Sequence, residues 1–345
     1  MKQHCEESRY KEVGTSLASD SDVCGYFGTS VTVAGNRLVV GSDGTDITAV
    51  DAGKVNVYDW NGVAYVEVAQ LTASDAQAYD YFGASVAIYD TRLVVGAHFE
   101  NTAGVAAGKV YIYDWNGTAY VEVAQLTASD ADANDQFGGA VAISGNRLVV
   151  GAYGKDTAAP NAGKVYIYEW NPTTSTYVEV AQLTASDADA NDQFGVSVTI
   201  SRDSNRLVVG ARGVGTTAVD AGKVYIYDWN CVASVYDEVA QLTASDAEAY
   251  DQFGRSTALS GTRLVVGAHF ENTAGPDAGK VYVYDWSGSA YVEVAQLTAS
   301  DAEATVLFGG AVAVDGERLL VAAFARNPSL TEAGNVYIYD WNGVD

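Results

Sequence analysis

The sequence predicts an all-β chain: a six-bladed β-propeller of four-stranded antiparallel blades, closed by its own N-terminal strand. Three observations carry this reading. A Phe-Gly pair recurs at Phe27-Gly28, Phe82-Gly83, Phe137-Gly138, Phe194-Gly195, Phe253-Gly254 and Phe308-Gly309, a period of 55, 55, 57, 59 and 55 residues, and a strand-rich period near fifty belongs to propellers and solenoids. Each period holds four short runs rich in Val, Ile, Tyr and Thr, divided by turn signals. The two ends also complement each other. The last unit stops after its third run, at Trp341-Asn342-Gly343, while residues 10–20 (YKEVGTSLASD) align with 120–130 as a fourth run lacking the other three. A strand from the N-terminus would complete the last blade and remove the exposed edges of an open array.

Within the third unit the elements follow in order. Residues 139–144 (GAVAIS) form the first strand, and a tight turn at Gly145-Asn146 leads to the second, 147–152 (RLVVGA). A loop of about ten residues, a length often functional, ends in Ala-Gly. The third strand, 164–170 (KVYIYEW), sends Val165 and Ile167 to one side and Tyr166 and Tyr168 to the other. The fourth is 177–184 (YVEVAQLT). In the second unit the turn before it is Asn116-Gly117, the pair favoured in type I′ hairpins. Strands apolar on both faces suit a blade sandwiched between blades. The expected divisions are a tail (1–9), a closing strand (10–19) and blades at 20–74, 75–129, 130–186, 187–245, 246–300 and 301–345. No linker interrupts them, so 1–345 reads as one domain.

Composition bounds the partners. The chain carries 44 acidic and 19 basic residues, a formal charge of −25, with 48% apolar residues for a core. Such a surface repels nucleic acid and anionic membrane and attracts cations or basic partners, or else serves solubility. Cys5, Cys24 and Cys231 lie outside the repeated positions, an odd set that is neither a disulfide framework nor a metal spacing. No apolar run reaches the length of a membrane span, and MKQHCEESRYKEV has no apolar core of a signal peptide.

Phe-Gly, a Val-rich strand, RLVVGA, a loop and Ala-Gly-Lys-Val-Tyr together resemble the FG-GAP repeat of integrin α-chain heads, in the non-integrin form with LTASD before Phe-Gly. The resemblance covers nearly the whole chain in six copies. It implies a propeller used for adhesion or ligand binding outside the cell. Integrin propellers are similar but have seven blades, with Asp-x-Asp-x-Asp-Gly calcium loops between first and second strands. Here those turns are Ala34-Gly35-Asn36, Ser144-Gly145-Asn146 and Ser260-Gly261-Thr262, too short to wrap a cation that needs six to eight oxygens.

Propeller topology places the turns between strands one and two, and three and four, on one face. The loops between strands two and three, and the connections between blades, share the other. On the turn face, each second strand opens with an arginine: Arg37, Arg92, Arg147, Arg206, Arg263 and Arg318. Each third strand has an acid before its final Trp: Asp59, Asp114, Glu169, Asp228, Asp285 and Asp340. Antiparallel pairing predicts six intra-blade Arg–carboxylate pairs, with room for the guanidinium to stack on Trp60, Trp115, Trp170, Trp229, Trp286 or Trp341. A sugar-binding Trp ring is the functional alternative.

The loop face is acidic. Blade connections read Asp75-Ala76-Gln77-Ala78-Tyr79-Asp80, the set Asp130, Asp132 and Asp135, the set Asp187, Asp189 and Asp192, and Asp246-Ala247-Glu248-Ala249-Tyr250-Asp251; the second Asp is missing before Phe27 and Phe308. The DxDxND pattern has the oxygen density a calcium ion wants, but without a Gly for a sharp turn, and Asp commonly caps turns. The loops between strands two and three vary most, which marks them as candidate ligand loops. Blades 2 and 5 share His98, Phe99, Glu100, Asn101 and His269, Phe270, Glu271, Asn272, while Tyr153, Lys155, Arg212 and Arg326 individualise the others. Blades 2 and 5 stand opposite, which separates the two histidines beyond the coordination bonds of about 2 Å of one shared metal ion.

Catalytic signatures (G-x-S-x-G, H-E-x-x-H, a P-loop) are absent, and no cofactor is required. Two carboxylates in an acidic funnel would suffice for glycoside hydrolysis, yet near-identical blades lack the asymmetry of a catalytic centre. Asn116-Gly117-Thr118 matches a glycosylation sequon as well as a hairpin turn. The leading expectation is a non-catalytic extracellular or cell-surface propeller that binds a protein or glycan, with a divalent cation on the acidic face as an option. A structural subunit of a larger surface assembly, built from neighbouring copies or subunits, is the alternative, and a funnel hydrolase the third. Direct membrane insertion and nucleic-acid binding are not expected.

Overall fold

The computed structural model describes residues 10–14, 25–300, 304–323 and 335–341, with the backbone alone for 10–14 and 335. They form six four-stranded antiparallel sheets. In blade 3 the strands are Phe137–Ser144, Arg147–Ala152, Lys164–Asn171 and Thr176–Leu183, paired in chain order. In the sixth sheet Tyr10–Gly14 lies outside Asn335–Trp341, followed by Arg318–Ala323 and Phe308–Asp315. The N-terminal strand closes the ring in the register of the other blades: Tyr10 faces Trp341 as Tyr120 faces Trp115. No helix among the described residues is long and apolar enough to cross a membrane. Cys231 is exposed and free; Cys5 and Cys24 lie outside the described residues.

The core is a set of slabs between neighbouring blades. The second and third strands are buried on both faces because each blade lies between two others. Val165, Tyr166 and Ile167 are wholly buried, and Phe137, Leu148, Val150 and Tyr166 pack on Val94 and Ile112 of blade 2. In blades 2 to 6 the Phe of Phe-Gly meets the third-strand Tyr edge-on, at 5.4 Å for Phe137–Tyr166 and 5.3 Å for Phe194–Tyr225, the geometry ring quadrupoles favour; blade 1 has Asn56 at that place. Backbone contacts lace the blades as well. Ala162 O accepts the N–H of Phe194 at 2.9 Å, and Gly163 bridges Phe194 in parallel. Gly151 explains the glycine of RLVVGA: a Cβ there would stand 2.0 Å from the Gly195 carbonyl oxygen of the next blade.

Two local expectations are corrected. The fourth strand is not apolar on both faces: Val178 and Val180 are each 47% exposed. A bulge follows the Ile167–Ala181 pair and sets Glu179 opposite Tyr168, which turns the glutamate inward and the valines to solvent at the rim. The Asn116-Gly117 turn is not type I′, which needs positive φ at both residues. Only Gly117 is left-handed, with φ 99°, and Asn116 Oδ1 accepts the N–H groups of Thr118 and Ala119 at 2.9 Å. The first strands surround an axial channel whose turn-face end is a cavity of about 440 Å³, lined by Val33, Ile88, Ile143, Ile200, Leu259 and Val314 among others.

Candidate axial binding site

The repeated charges build the ring. Arg37 Nε and Nη2 donate to Asp59 at 2.7 and 2.8 Å, and Arg92–Asp114, Arg206–Asp228, Arg263–Asp285 and Arg318–Asp340 pair through two bonds in the same way. Arg147 bonds Glu169. The guanidinium stacks on the Trp of the following blade, not on its own: Arg37 on Trp115 at 4.6 Å, Arg92 on Trp170, Arg147 on Trp229 and Arg206 on Trp286 at 4.1 Å, and Arg263 on Trp341 at 4.0 Å. Arg37 also donates to the Tyr120 hydroxyl, and Arg92 to that of Tyr177. Each such arginine thus grips a carboxylate within its blade and an aromatic pair in the next, which leaves those Trp faces covered.

The acidic connections are spent on similar duties. Asp130 accepts from Lys164 Nζ at 2.8 Å and from the Tyr166 hydroxyl at 2.6 Å, and Asp187 accepts likewise from Lys223 and Tyr225. Burial works to raise the Asp130 carboxyl, but these two donors outweigh it and hold it below the usual range. Asp135 and Asp192 accept the N–H groups of Asp132 and Asp189 at 2.7 Å, which caps the turns. Asp132 and Asp135 both bind Lys155, at 2.8 and 3.0 Å; the Asp189 carboxylate is exposed. Among the described residues no group of three or more His, Cys, Asp or Glu side chains is placed to hold a metal ion.

The candidate loop residues divide. Glu100 and Glu271 are buried against Lys109 and Lys280 at 3.0 and 2.9 Å. Asn101 and Asn272 cap their own loops through the N–H groups of Ala106 and Asp277. With Lys155 buried on its aspartates, these five are engaged in holding their own loops. His269 is buried with its ring 4.1 Å from Phe270. Arg326 lies outside the described residues.

His98, Phe99, Tyr153 and Arg212 gather around the axis with two residues that loop reading passes over, Asp43 and Arg255. The residue after the second strand is Asp43, His98, Tyr153, Arg212 and His269 in blades 1 to 5; the residue after Phe-Gly is Thr29, Ala84, Gly139, Val196, Arg255 and Gly310. In blades that otherwise repeat nearly verbatim, these two columns differ, and each sits at the loop-face end of an inner strand. Tyr81 lies 6.0 Å from His98 and 5.4 Å from Phe99, His98 lies 6.2 Å from Tyr153, and the Arg212 guanidinium lies 5.8 Å from the Tyr153 ring. Arg212 Nε donates to Gln193 Oε1 at 2.6 Å. Thr29 donates to Asp43 at 2.8 Å. Arg255 of blade 5 acts electrostatically on Arg212, Tyr153 and Asp43 and, across the axis, on His98 of blade 2. Gly139 makes room for Tyr153, since a Cβ there would lie 2.5 Å from its ring.

Burial sets the charges of this circuit. It raises the Asp43 carboxyl to about 6 against the Thr29 hydrogen bond and Arg255. Burial, helped by Arg255, pushes His98 down to about 3, so its imidazole is neutral. Burial and the neighbouring Arg212 bring Arg255 down to about 10, still charged at neutral pH. Asp43, His98, Tyr153, Arg212 and Arg255 all retain some accessible surface. They wall a recess that solvent reaches.

Five segments, 65–113, 120–168, 177–227, 236–284 and 291–339, match the FG-GAP repeat. The chain belongs to the FG-GAP repeat family. Each matched FG-GAP segment runs from the fourth strand of one blade into the third strand of the next. Integrin alpha-11 of Homo sapiens is 28% identical over 229 residues, which are 60% of this chain and 19% of the integrin, so the chain spans about a fifth of that relative. A crystal structure of a protein from Lactobacillus plantarum shares the fold, with a TM-score of 0.53 at 13% identity over 89% of this chain and 82% of that one. In this FG-GAP propeller the signal for Asp43 and Arg255 was present in the sequence. It lay in comparing one column across all blades, where a lone Arg stands among Thr, Ala, Gly and Val.

Proposed function

We propose that this FG-GAP propeller is a non-catalytic ligand-binding ring that works outside the cell or on its surface and takes a protein or glycan at the axis of its loop face. One observation carries the reading: the residues that differ between otherwise repeated blades, Asp43, His98, Tyr153, Arg212 and Arg255, meet in one accessible recess. Variation on a rigid scaffold is where binding resides. The FG-GAP family and the likeness to integrin alpha-11 support a ligand-binding role and a surface setting. The charge of −25 disfavours nucleic acid and anionic membrane as partners. A calcium ion is not part of the proposal, because most of the aspartates it would use are engaged by lysine or backbone donors. Carboxylate-pair hydrolysis would need a second axial acid beside Asp43, and the side chains that interact with Asp43 among the described residues include Thr29, Tyr153 and Arg255. The test is a glycan array and a cell-surface protein array probed with wild type and Tyr153→Ala. Wild-type signals should disappear in the variant; silent arrays, or signals the variant keeps, would refute the reading.

A second reading, a subunit of a larger assembly, is supported by the rim. Val66, Val68, Val121, Val123, Val178 and Val180 are exposed on outermost strands, whose outer backbone edge is unpaired and so open to strand addition. Light scattering against concentration tests it: a monomer at all concentrations, with no growth of mass, would remove it.

A further inference from the structure

Resting on the axial reading above, we infer that the recess binds a singly charged carboxylate, gripped by Arg255 and Arg212 beside the rings of His98 and Tyr153. The first ground is an imbalance of charge pairing. Among the described residues at least eleven lysines and arginines form ion pairs with carboxylates, as expected with 44 acids in the chain. Neither axial arginine has a carboxylate within ion-pair distance among the described residues, and the same holds for Arg202 at the turn face, which is not part of this cluster. Arg212 has one neutral acceptor, Gln193. Arg255 makes no side-chain hydrogen bond to protein among the described residues, so the five N–H donors of its guanidinium are left to solvent or to a ligand at a partly exposed position.

The second ground is like charge. Arg212, whose guanidinium lies over the Tyr153 ring, and Arg255 of the adjoining blade bring two like charges to the same end of the axis, an arrangement that is unfavourable in an empty site and favourable once an anion lies between them. The guanidinium fork fits a planar carboxylate through two parallel bonds. Neutral His98 adds one ring N–H, and its Nδ1 has no hydrogen-bond partner among the described residues. The third ground selects the charge of the ligand. Asp43 faces the same recess and exerts its own field on Arg255, so a dianion such as phosphate would be opposed where a monoanion is tolerated. Tyr153, His98, Phe99 and Tyr81 supply ring surface for the body that carries the carboxylate. The source is either a free carboxylic acid or an acidic group on the protein or glycan ligand.

Isothermal titration of the full chain with sodium acetate, sodium benzoate and sodium glucuronate, at ionic strength fixed with sodium chloride, tests the inference. Wild type should give saturable heat, and Arg255→Met and Arg212→Gln should each weaken binding by about tenfold or more. Response to acetate or benzoate would assign the site to free acids; response to glucuronate alone would assign it to acidic sugars. In chloride buffer without carboxylate, Arg255→Met should melt above wild type, because an uncompensated charge is gone. No saturable binding of any of the three acids, or affinities unchanged in both variants, would overturn the inference. A lower melting temperature for Arg255→Met would do the same by marking Arg255 as structural. If the acids fail while array signals still vanish in Tyr153→Ala, the carboxylate inference falls and the axial ligand reading stands.

Discussion

Asp43 and His98 share the field of Arg255 and titrate in opposite senses, which yields a sharp test of the axial circuit. The Asp43 carboxyl rises from 3.8 to about 6 on folding. The stability it contributes is therefore full below about 4 and is lost as pH rises through about 6. His98 falls from 6.5 to about 3, so its contribution is full above 6.5 and is lost as pH falls towards 3. One pH unit over which the folded and unfolded states differ by one proton is worth about 1.4 kcal/mol. Between pH 6 and 4 the two groups change stability by roughly 2–3 kcal/mol each, with opposite signs, and nearly cancel. Arg255 remains charged throughout that window. Asp43→Asn, which keeps an acceptor for Thr29, should lose about 1 kcal/mol per pH unit relative to wild type on acidification from 6 to 4; His98→Gln should gain about as much. Because both side chains keep some accessible surface, solvent screening sets a lower bound of about half those slopes. Urea unfolding at pH 6, 5 and 4 measures this, and taking differences from wild type removes the titration of the other acids. Variant curves that run parallel to wild type within about 0.5 kcal/mol would refute the reasoning.

Further expectations concern the frame. Gly151→Ala drives a Cβ to 2.0 Å from a backbone oxygen of the next blade and should cost about 3 kcal/mol or more, read from the urea midpoint. Arg92→Ala loses a two-bond carboxylate pair and the stack on Trp170 and should cost about 2–3 kcal/mol. A double-mutant cycle with Trp170→Ala should return a coupling of about 0.5–1 kcal/mol, and no coupling would deny the clamp across the blade boundary. Tyr166→Phe removes the 2.6 Å bond to Asp130 and should destabilise by about 1–2 kcal/mol. Millimolar calcium should leave the melting temperature where it is; a saturable rise would place a cation on the acidic face.

The architecture was legible because it is written locally and repeatedly. Phe-Gly spacing, the RLVVGA and Lys-Val-Tyr runs and the complementary ends each depend on neighbours in sequence, and antiparallel register alone brings Arg147 opposite Glu169. Other features depend on how blades meet. Nothing within blade 2 says that Arg92 will cover Trp170, since that Trp belongs to the following blade. The acidic connections also take their partners from elsewhere. Their aspartates look like a cation loop until Lys164, Tyr166 and Lys155 arrive from other strands and loops to occupy the oxygens. Asp43 and Arg255 are 212 positions apart in the chain, and only closure of the ring makes them neighbours.

That closure also explains how a repetitive chain can carry a specific site. A blade needs its Phe-Gly, its Arg–carboxylate grip and its Tyr-rich third strand in every copy, because each holds the next. The residues after the second strand and after Phe-Gly stand at the inner ends of the strands, where symmetry brings one residue from each blade to a common axis. A change there alters the recess without disturbing a grip between blades, as Gly139 shows by yielding its space to Tyr153. The expected cost falls on stability: Arg255, partly desolvated and without an ion pair beside Arg212, should oppose folding of the empty ring. The arginine clamps and backbone laces between blades supply the stability that tolerates it. On the proposed axial reading, that cost is the counterpart of binding: an anion between the two guanidiniums would remove it.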